Sequence, residues 1–219
     1  MVLEIYTDAS IKTFNNGRTF GCSGALCATN GESIYNINPD TTNNRSELIA
    51  IYNGVILADN IRKKINEPSY QIHLYSDSQF GVFGLTKWIY GWIKTMDDNG
   101  IMYGSNGQPV KNQELFAMIL SYLSINKLKV NFHHMAGHVR YTSTKMLSKA
   151  NDTFNKSNGY YLRPEDIYKI SYYNDIVDKT SRAKLDNINP NEFPIVGNGC
   201  DYTTMVNYKI PEDFKNYIN

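Results

Sequence analysis

The sequence predicts an α/β protein built on a five-stranded mixed sheet, an antiparallel meander continued by parallel strands, with helices flanking it. Three observations lead there. The chain opens with three short extended segments separated by turn residues. A long segment of helical period then leads into a fourth alternating segment, and a second helical region leads into a fifth. With 42% hydrophobic and 13% aromatic residues in 219, there is enough apolar surface for a core, which excludes a disordered or fibrous chain.

The elements follow in order. Leu3-Glu4-Ile5-Tyr6-Thr7 alternates and ends at Asp8, a first strand. A turn-rich stretch containing Asn15-Asn16-Gly17 precedes a second run, Gly24-Ala25-Leu26-Cys27-Ala28, and Asn30-Gly31 marks a tight hairpin into Ser33-Ile34-Tyr35-Asn36-Ile37. From Ser46 to Asn60 the apolar residues Leu48, Ile49, Ile51, Tyr52, Val55, Ile56 and Leu57 keep a helical spacing. Pro68 ends the connection, and Gln71 to Ser76 is a fourth strand stopping at Asp77. A broken helical region through Trp88 and Trp92, a Gly/Asn-rich loop, a helix from Gln113 to Ser124 and a strand from Lys127 to His133 complete the pattern. Beyond it, Pro190 and Pro194 argue for an irregular linker, Tyr202 to Ile210 alternates weakly, and Pro211-Glu212-Asp213 can open a short terminal helix.

Length and charge set bounds on function. The chain fits one elaborated domain or two very small ones. The formal net charge is +1, which argues against coating nucleic acid by bulk electrostatics, so an anionic partner has to be met locally. Residues 1–138 hold 11 basic and 11 acidic side chains, residues 139–182 hold 8 and 5, and residues 183–219 hold 3 and 5. The positive excess therefore sits in one stretch. Cys22, Cys27 and Cys200 form no CxxC pair, so neither a disulfide framework nor a zinc site is suggested and a reducing, cytoplasmic setting is expected. Met1-Val2-Leu3-Glu4 lacks a basic head and an apolar run, so no signal peptide or membrane partner is expected.

Asp8 and Asp77 each end a strand and are each followed by a small residue. If those strands are neighbours, the two carboxylates emerge side by side at one sheet edge. Glu47 lies in the first turn of the helix after Thr42-Asn43-Asn44-Arg45-Ser46. Close carboxylates repel one another, and a divalent cation is the usual compensation. Mg²⁺ takes oxygen ligands and keeps positions open for phosphate oxygens. This chemistry suggests phosphodiester hydrolysis between two metals about 4 Å apart.

The blocks Ile5-Tyr6-Thr7-Asp8-Ala9-Ser10, Thr42-Asn43-Asn44-Arg45-Ser46-Glu47-Leu48, Tyr75-Ser76-Asp77-Ser78-Gln79-Phe80, Trp88-Ile89 with Trp92, and Pro109-Val110-Lys111-Asn112 stand in an order that resembles the type 1 ribonuclease H family. The resemblance covers residues 1 to 138, with a last match at 174 to 182. It implies a ribonuclease H-like fold and an endonuclease that cuts the RNA strand of an RNA/DNA hybrid with two Mg²⁺ or Mn²⁺ ions. It also implies that Asp8, Glu47 and Asp77 are three of four metal-binding carboxylates. Asn174-Asp175-Ile176-Val177-Asp178 fits the family's last helix with Asp178 as the fourth. Asn174, Asp178 and Arg182 share one helical face, while Asp175 points about 100° away. His138 matches a histidine held to protonate the leaving group or to release product, and a group titrating near neutrality suits either task. His133 and His134 lie on an alternating strand, one expected inward and the other outward.

The resemblance further implies that Asn43, Asn44 and Gln79 contact the hybrid's minor groove and that Thr42 contacts a phosphate of the DNA strand. A capping role for Asn43 or Asn44 is equally compatible. Arg45 suits a phosphate or a neighbouring acid, and Trp88 and Trp92, four apart, suit packing better than base stacking.

Two features depart from the family pattern. The segment from Lys94 to Lys111, which matches a basic handle in bacterial members, carries Asp97 and Asp98 and few cations. Residues 139–173 intervene between the histidine and the last carboxylate where a short loop is usual. Arg140, Lys145, Lys149 and Lys156 in that insertion are expected to replace some of the handle's grip, against the plainer alternative of a solvated excursion. Residues 1–182 are thus read as a catalytic domain and 183–219 as an extension. The rival readings are a ribonuclease H-like nuclease acting on DNA, of the junction-resolvase or integrase type, and a module that binds nucleic acid without cutting it.

Overall fold

The computed structural model describes residues 2–65, 70–194 and 210–219. The expectations for Pro68, Cys200 and the alternation from Tyr202 up to residue 209 lie outside the described residues.

Five strands form one sheet: β1 (Val2–Thr13), β2 (Thr19–Cys27), β3 (Ser33–Pro39), β4 (Gln71–Ser76) and β5 (Val130–His134), in the order β3-β2-β1-β4-β5. β1, β2 and β3 are antiparallel, and β4 and β5 run parallel to β1. The helices are α1 (Asn43–Ile65), α2 (Gln79–Phe83), a π turn (Gly84–Trp88), α3 (Ile89–Lys94), α4 (Gln113–Ile125), α5 (Thr144–Asn158) and α6 (Pro164–Asp186). The mixed sheet expected from the sequence is the one observed. Gly31 takes φ 77 in the β2–β3 turn, a conformation that costs glycine nothing.

Strand alternation sends two sets of side chains to two cores. Leu3, Ile5, Ile72, Leu74, Val130 and Phe132 pack with α1 and α4, whereas Tyr6, Tyr75 and Met135 pack with α5 and α6 through Phe154, Ile167, Ile170 and Val177. The second set includes a ring stack running Tyr173, Tyr6, Tyr75, His133, Phe154.

Several boundaries differ from the sequence reading, each for a physical reason. β1 does not stop at Asp8: it continues to Thr13 because β2 pairs with it as far as Thr19. β5 begins at Val130 rather than Lys127, since Lys127 adopts φ 49 in the turn that ends α4. Residues 139–173 are folded, although Arg140, Lys145, Lys149 and Lys156 all face water as the plainer alternative expects. The segment forms α5, which buries Ala150 and Phe154, and the first turns of α6, whose Pro164 stands at its N-terminal end. The expected limits at 173/174 and 182/183 both fall inside α6.

The far end of the chain returns to the sheet. Phe214 and Ile218 are buried in the larger core, and Val130 and Phe132 donate backbone hydrogen bonds to the carbonyls of Tyr217 and Asn219 at 2.9 and 3.1 Å. The expected terminal helix is a single 3₁₀ turn, Phe214–Asn216. Arg18 pairs with Asp40 and donates to the carbonyls of Pro190, Phe193 and Pro194, fastening the segment after α6.

Candidate active site

The β1–β4 register ends at Thr7 and Ser76, so Asp8 and Asp77 are the next residues of two parallel neighbours and lie side by side. The parallel pair is what brings them together. Glu47 reaches the same point from the first turns of α1, whose start is fixed by Ser23 donating to the Ser46 carbonyl at 2.7 Å. Ligand oxygens of Asp8, Glu47 and Asp77 all lie within 4.8 Å of one another.

These carboxylates are strained electrostatically. Asp8 is pushed up to about 9, first by burial and then by the charges of Asp77 and Asp178. Glu47 is held well above the usual range by burial and by Asp8 and Asp77. Asp77 is raised by burial, with partial relief from His138 and from a hydrogen bond to Asn174. The Ala9 N–H donates to Asp8 Oδ1 at 2.7 Å, but Asp8 Oδ2 and Glu47 Oε2 are buried without a hydrogen-bond partner. Buried anionic oxygens in that state are costly. The donor set is all oxygen and hard, which suits a divalent cation of the Mg²⁺ class.

Asp178 adjoins this group without joining it. It accepts from Ser10 Oγ at 3.1 Å and from Arg182 Nε at 2.8 Å, and its Oδ2 lies 3.5 Å from His138 Nδ1. Convergence of four carboxylates is thus met by three, with the fourth turned toward Arg182. Asp175, the alternative, is engaged outward by Lys179 at 2.6 Å. His138 sits at φ 52 with its side chain 68% exposed.

Thr42, Asn43, Asn44 and Gln79 are all exposed, the first three at the start of α1 and the last at the start of α2. Thr42 Oγ1 accepts from Arg45 N at 3.4 Å, so the cap expected of Asn43 or Asn44 is supplied by Thr42. Arg45 is committed to an acid: it pairs with Glu114 and donates to Asn112 Oδ1 at 3.2 Å, tying α1 to α4. Trp92 packs on Phe116, whereas Trp88 is 40% exposed. His133 is buried, and His134, instead of facing water, bonds Ser157 Oγ at 2.8 Å. In the handle segment Asp97 accepts from the N–H groups of Asn99 and Ile101 and from the Tyr103 hydroxyl, so it shapes its own loop.

Sequence reasoning missed two contributors, Ser10 and Gly137, and did not foresee the partner of Asn174. Ser10 and Asn174 orient Asp178 and Asp77, and Gly137 packs on Asp77. Asn174 was visible only as the helix-start asparagine, and the other two carry no signal a single sequence can show.

Two adjacent parallel strands set Asp8 and Asp77 side by side, and with Glu47 from α1 they make an acidic group able to hold a metal ion. The family model described as RNase H matches residues 1–152. The chain belongs to the RNase H family and is a ribonuclease H, a nuclease whose substrate is nucleic acid. It is 35% identical over 137 residues to Ribonuclease H of Orientia tsutsugamushi (strain Boryong), covering 62% of this chain and 71% of that one. It is likewise 35% identical over 140 residues to Ribonuclease H of Legionella pneumophila (strain Lens), covering 63% and 85%. Among solved structures it is similar to LC9-RNase H1, a type 1 RNase H with the type 2 active-site motif, at 18% identity and TM-score 0.46 over 75% of this chain and 79% of that one. The family match ends within α5, so Asp178 lies beyond it. No helix among the described residues is long and apolar enough to cross a membrane.

Proposed function

We propose that the protein is an endonuclease hydrolysing the RNA strand of RNA/DNA hybrids, with two Mg²⁺ or Mn²⁺ ions held by Asp8, Glu47, Asp77 and Asp178. The observation carrying this is the pair of orphaned, buried oxygens Asp8 Oδ2 and Glu47 Oε2 beside Asp77, an anionic pocket suited to a cation. Bound divalent ions would neutralise the carboxylates, polarise the scissile phosphate and acidify the attacking water.

The chain's own residues do the positioning. Ala9 N–H and Asn174 fix Asp8 and Asp77, and Ser10 with Arg182 holds Asp178 until substrate arrives. Water adds to phosphorus, the P–O3′ bond breaks, and His138, exposed and beside Asp178, is placed to give the O3′ its proton. The products are a 3′-hydroxyl and a 5′-phosphate. Thr42, Asn43, Asn44 and Gln79 form an exposed polar rim suited to the DNA-strand phosphate and to minor-groove hydroxyls and base edges. The catalytic unit would run past residue 182 to the end of α6 and include residues 210–219, which pack in the larger core, and the buried free thiols of Cys22 and Cys27 favour a cytoplasmic setting.

The test is incubation with labelled hybrid, duplex RNA, duplex DNA and a four-way junction in Mg²⁺ or Mn²⁺, alongside Asp77→Asn. Cutting of the hybrid's RNA strand alone, abolished by the substitution, is expected. Cutting of duplex DNA or the junction would favour the DNA-directed reading, and binding without cutting the non-catalytic one.

A further inference from the structure

Six of the chain's 17 tyrosines fall between residues 141 and 173. Three of them form one outward-facing cluster. Tyr168 and Tyr172, four apart on α6, present parallel rings with 6.3 Å between centroids and a 5° interplanar angle. Tyr141, from the loop after His138, sets its ring edge-on against both, at 5.5 and 5.4 Å. The edge contact holds the two parallel rings in place, yet they remain 45% and 37% exposed. Aromatic rings kept rigid and left in water are an unused binding surface.

The cluster is continuous with the acid site. Tyr141 also lines a cleft of about 440 Å³ whose walls include His138, Arg140, Asp178, Lys179 and Arg182. The same cleft walls thus carry three cations and two acids, Asp175 and Asp178. Arg140 makes no ion pair among the described residues, while Lys179 and Arg182 pair with Asp175 and Asp178. The acids at the start of α6, Glu165 and Asp166, share the single cation Arg163, so one negative charge remains there against the unpaired Arg140 on the cleft side.

We propose that Tyr141, Tyr168 and Tyr172, with Arg140 and Lys179 in the adjoining cleft, form a platform for an unpaired stretch of nucleic acid continuous with the hybrid. Phosphates lie along the cations and bases stack on the tyrosines. A duplex offers such rings no free base face, whereas an unpaired strand does. The proposal rests on the hybrid reading only for the strand's point of entry.

Binding is measured by fluorescence anisotropy in an Asp77→Asn background, which separates it from cleavage. The probes are a blunt hybrid, the same hybrid with an unpaired extension at each strand end in turn, and the extension alone as a single strand. At least one extension is expected to tighten binding about 5- to 30-fold, the low end of stacking for one or two bases. The gain should vanish in Tyr168→Ala/Tyr172→Ala, survive in Tyr168→Phe/Tyr172→Phe, and shrink with a shallower salt dependence in Arg140→Ala. Blunt-hybrid binding should not change in either tyrosine double variant. If no extension tightens binding, or if the alanine pair weakens blunt and extended probes equally, the proposal is wrong. The extension comparison needs no surface substitution, so it decides even if a variant misfolds. Absence of hybrid cutting by the unsubstituted protein would overturn the hybrid reading while leaving tyrosine-dependent single-strand binding to be judged separately.

Discussion

Gly137 lies flat against the carboxylate of Asp77: a Cβ at residue 137 would stand 2.0 Å from Oδ2 and 2.9 Å from Cγ. Asp77 Cβ stands at 3.2 Å as well, so the whole Asp77 side chain must shift. Gly137→Ala is therefore expected to lower kcat by about 10- to 100-fold, the usual effect of an ångström's misplacement, with a smaller loss of melting temperature. Steady-state kinetics with a Mg²⁺ titration check it. Unchanged kcat would mean that Asp77 tolerates the shift.

The crowded carboxylates make the metal-free site a liability for folding. Asp8 has a folded pKa raised to about 9, so the folded state binds a proton more readily than the unfolded chain. Its contribution favours folding at low pH and is lost as pH rises from the ordinary carboxylate range through 9. Asp8→Asn is expected to abolish cleavage yet raise the melting temperature in EDTA at neutral pH, by roughly 2–4 °C for each kcal/mol relieved. Mg²⁺ should stabilise the unsubstituted protein and do so less for the variant.

Asp175 and Asp178 separate by their surroundings. Asp178 is buried beside Ser10, His138 and Arg182, whereas Asp175 faces outward to Lys179. Asp178→Asn should cost about 10²- to 10³-fold in kcat, comparable to losing a preorganised catalytic group. Asp175→Asn should cost less than about threefold, in line with an exposed pair. Equal losses would reject the assignment of Asp178.

The placement of Asp8, Glu47 and Asp77 was legible because it follows from local pattern: strand alternation, a turn and a helical start. The parallel pairing that sets Asp8 beside Asp77 needed only that β1 and β4 be neighbours. What was not legible depends on distant partners. Nothing near Arg45 in sequence announces Glu114, and nothing in the lysine-rich stretch around Lys149 shows that Ala150 and Phe154 will be buried beneath it. β1 runs past Asp8 because of what β2 does, which alternation within β1 cannot reveal.

His133 predicts an acid limit to stability. Burial, aided by His73 at 2.8 Å, holds it down to about 4. The unfolded chain takes up this proton near pH 6.5 and the folded protein only near 4, so stability falls as pH drops through that window. The loss is about 3 kcal/mol from this residue. His133→Gln should lower stability at neutral pH but flatten the decline between pH 6.5 and 4, read as melting temperature against pH. An undiminished slope would place the acid sensitivity elsewhere.

The last residues close the sheet. Tyr217 and Asn219 accept hydrogen bonds from Val130 and Phe132, and Phe214 and Ile218 sit 3% and 4% exposed in the larger core. Removing residues 210–219 deletes both side chains, forfeiting burial worth about 1.5–3 kcal/mol each, and leaves β5 with unpaired N–H groups. An open edge of that kind recruits other chains. The truncated protein is therefore expected to unfold at a distinctly lower urea concentration and to form oligomers on mild heating. Phe214→Ala alone should cost about 3–5 kcal/mol without the association, because the edge stays covered. Urea titration and light scattering distinguish the two effects. A truncation that unfolds at the same urea concentration as the full chain would show that these residues do not hold the fold.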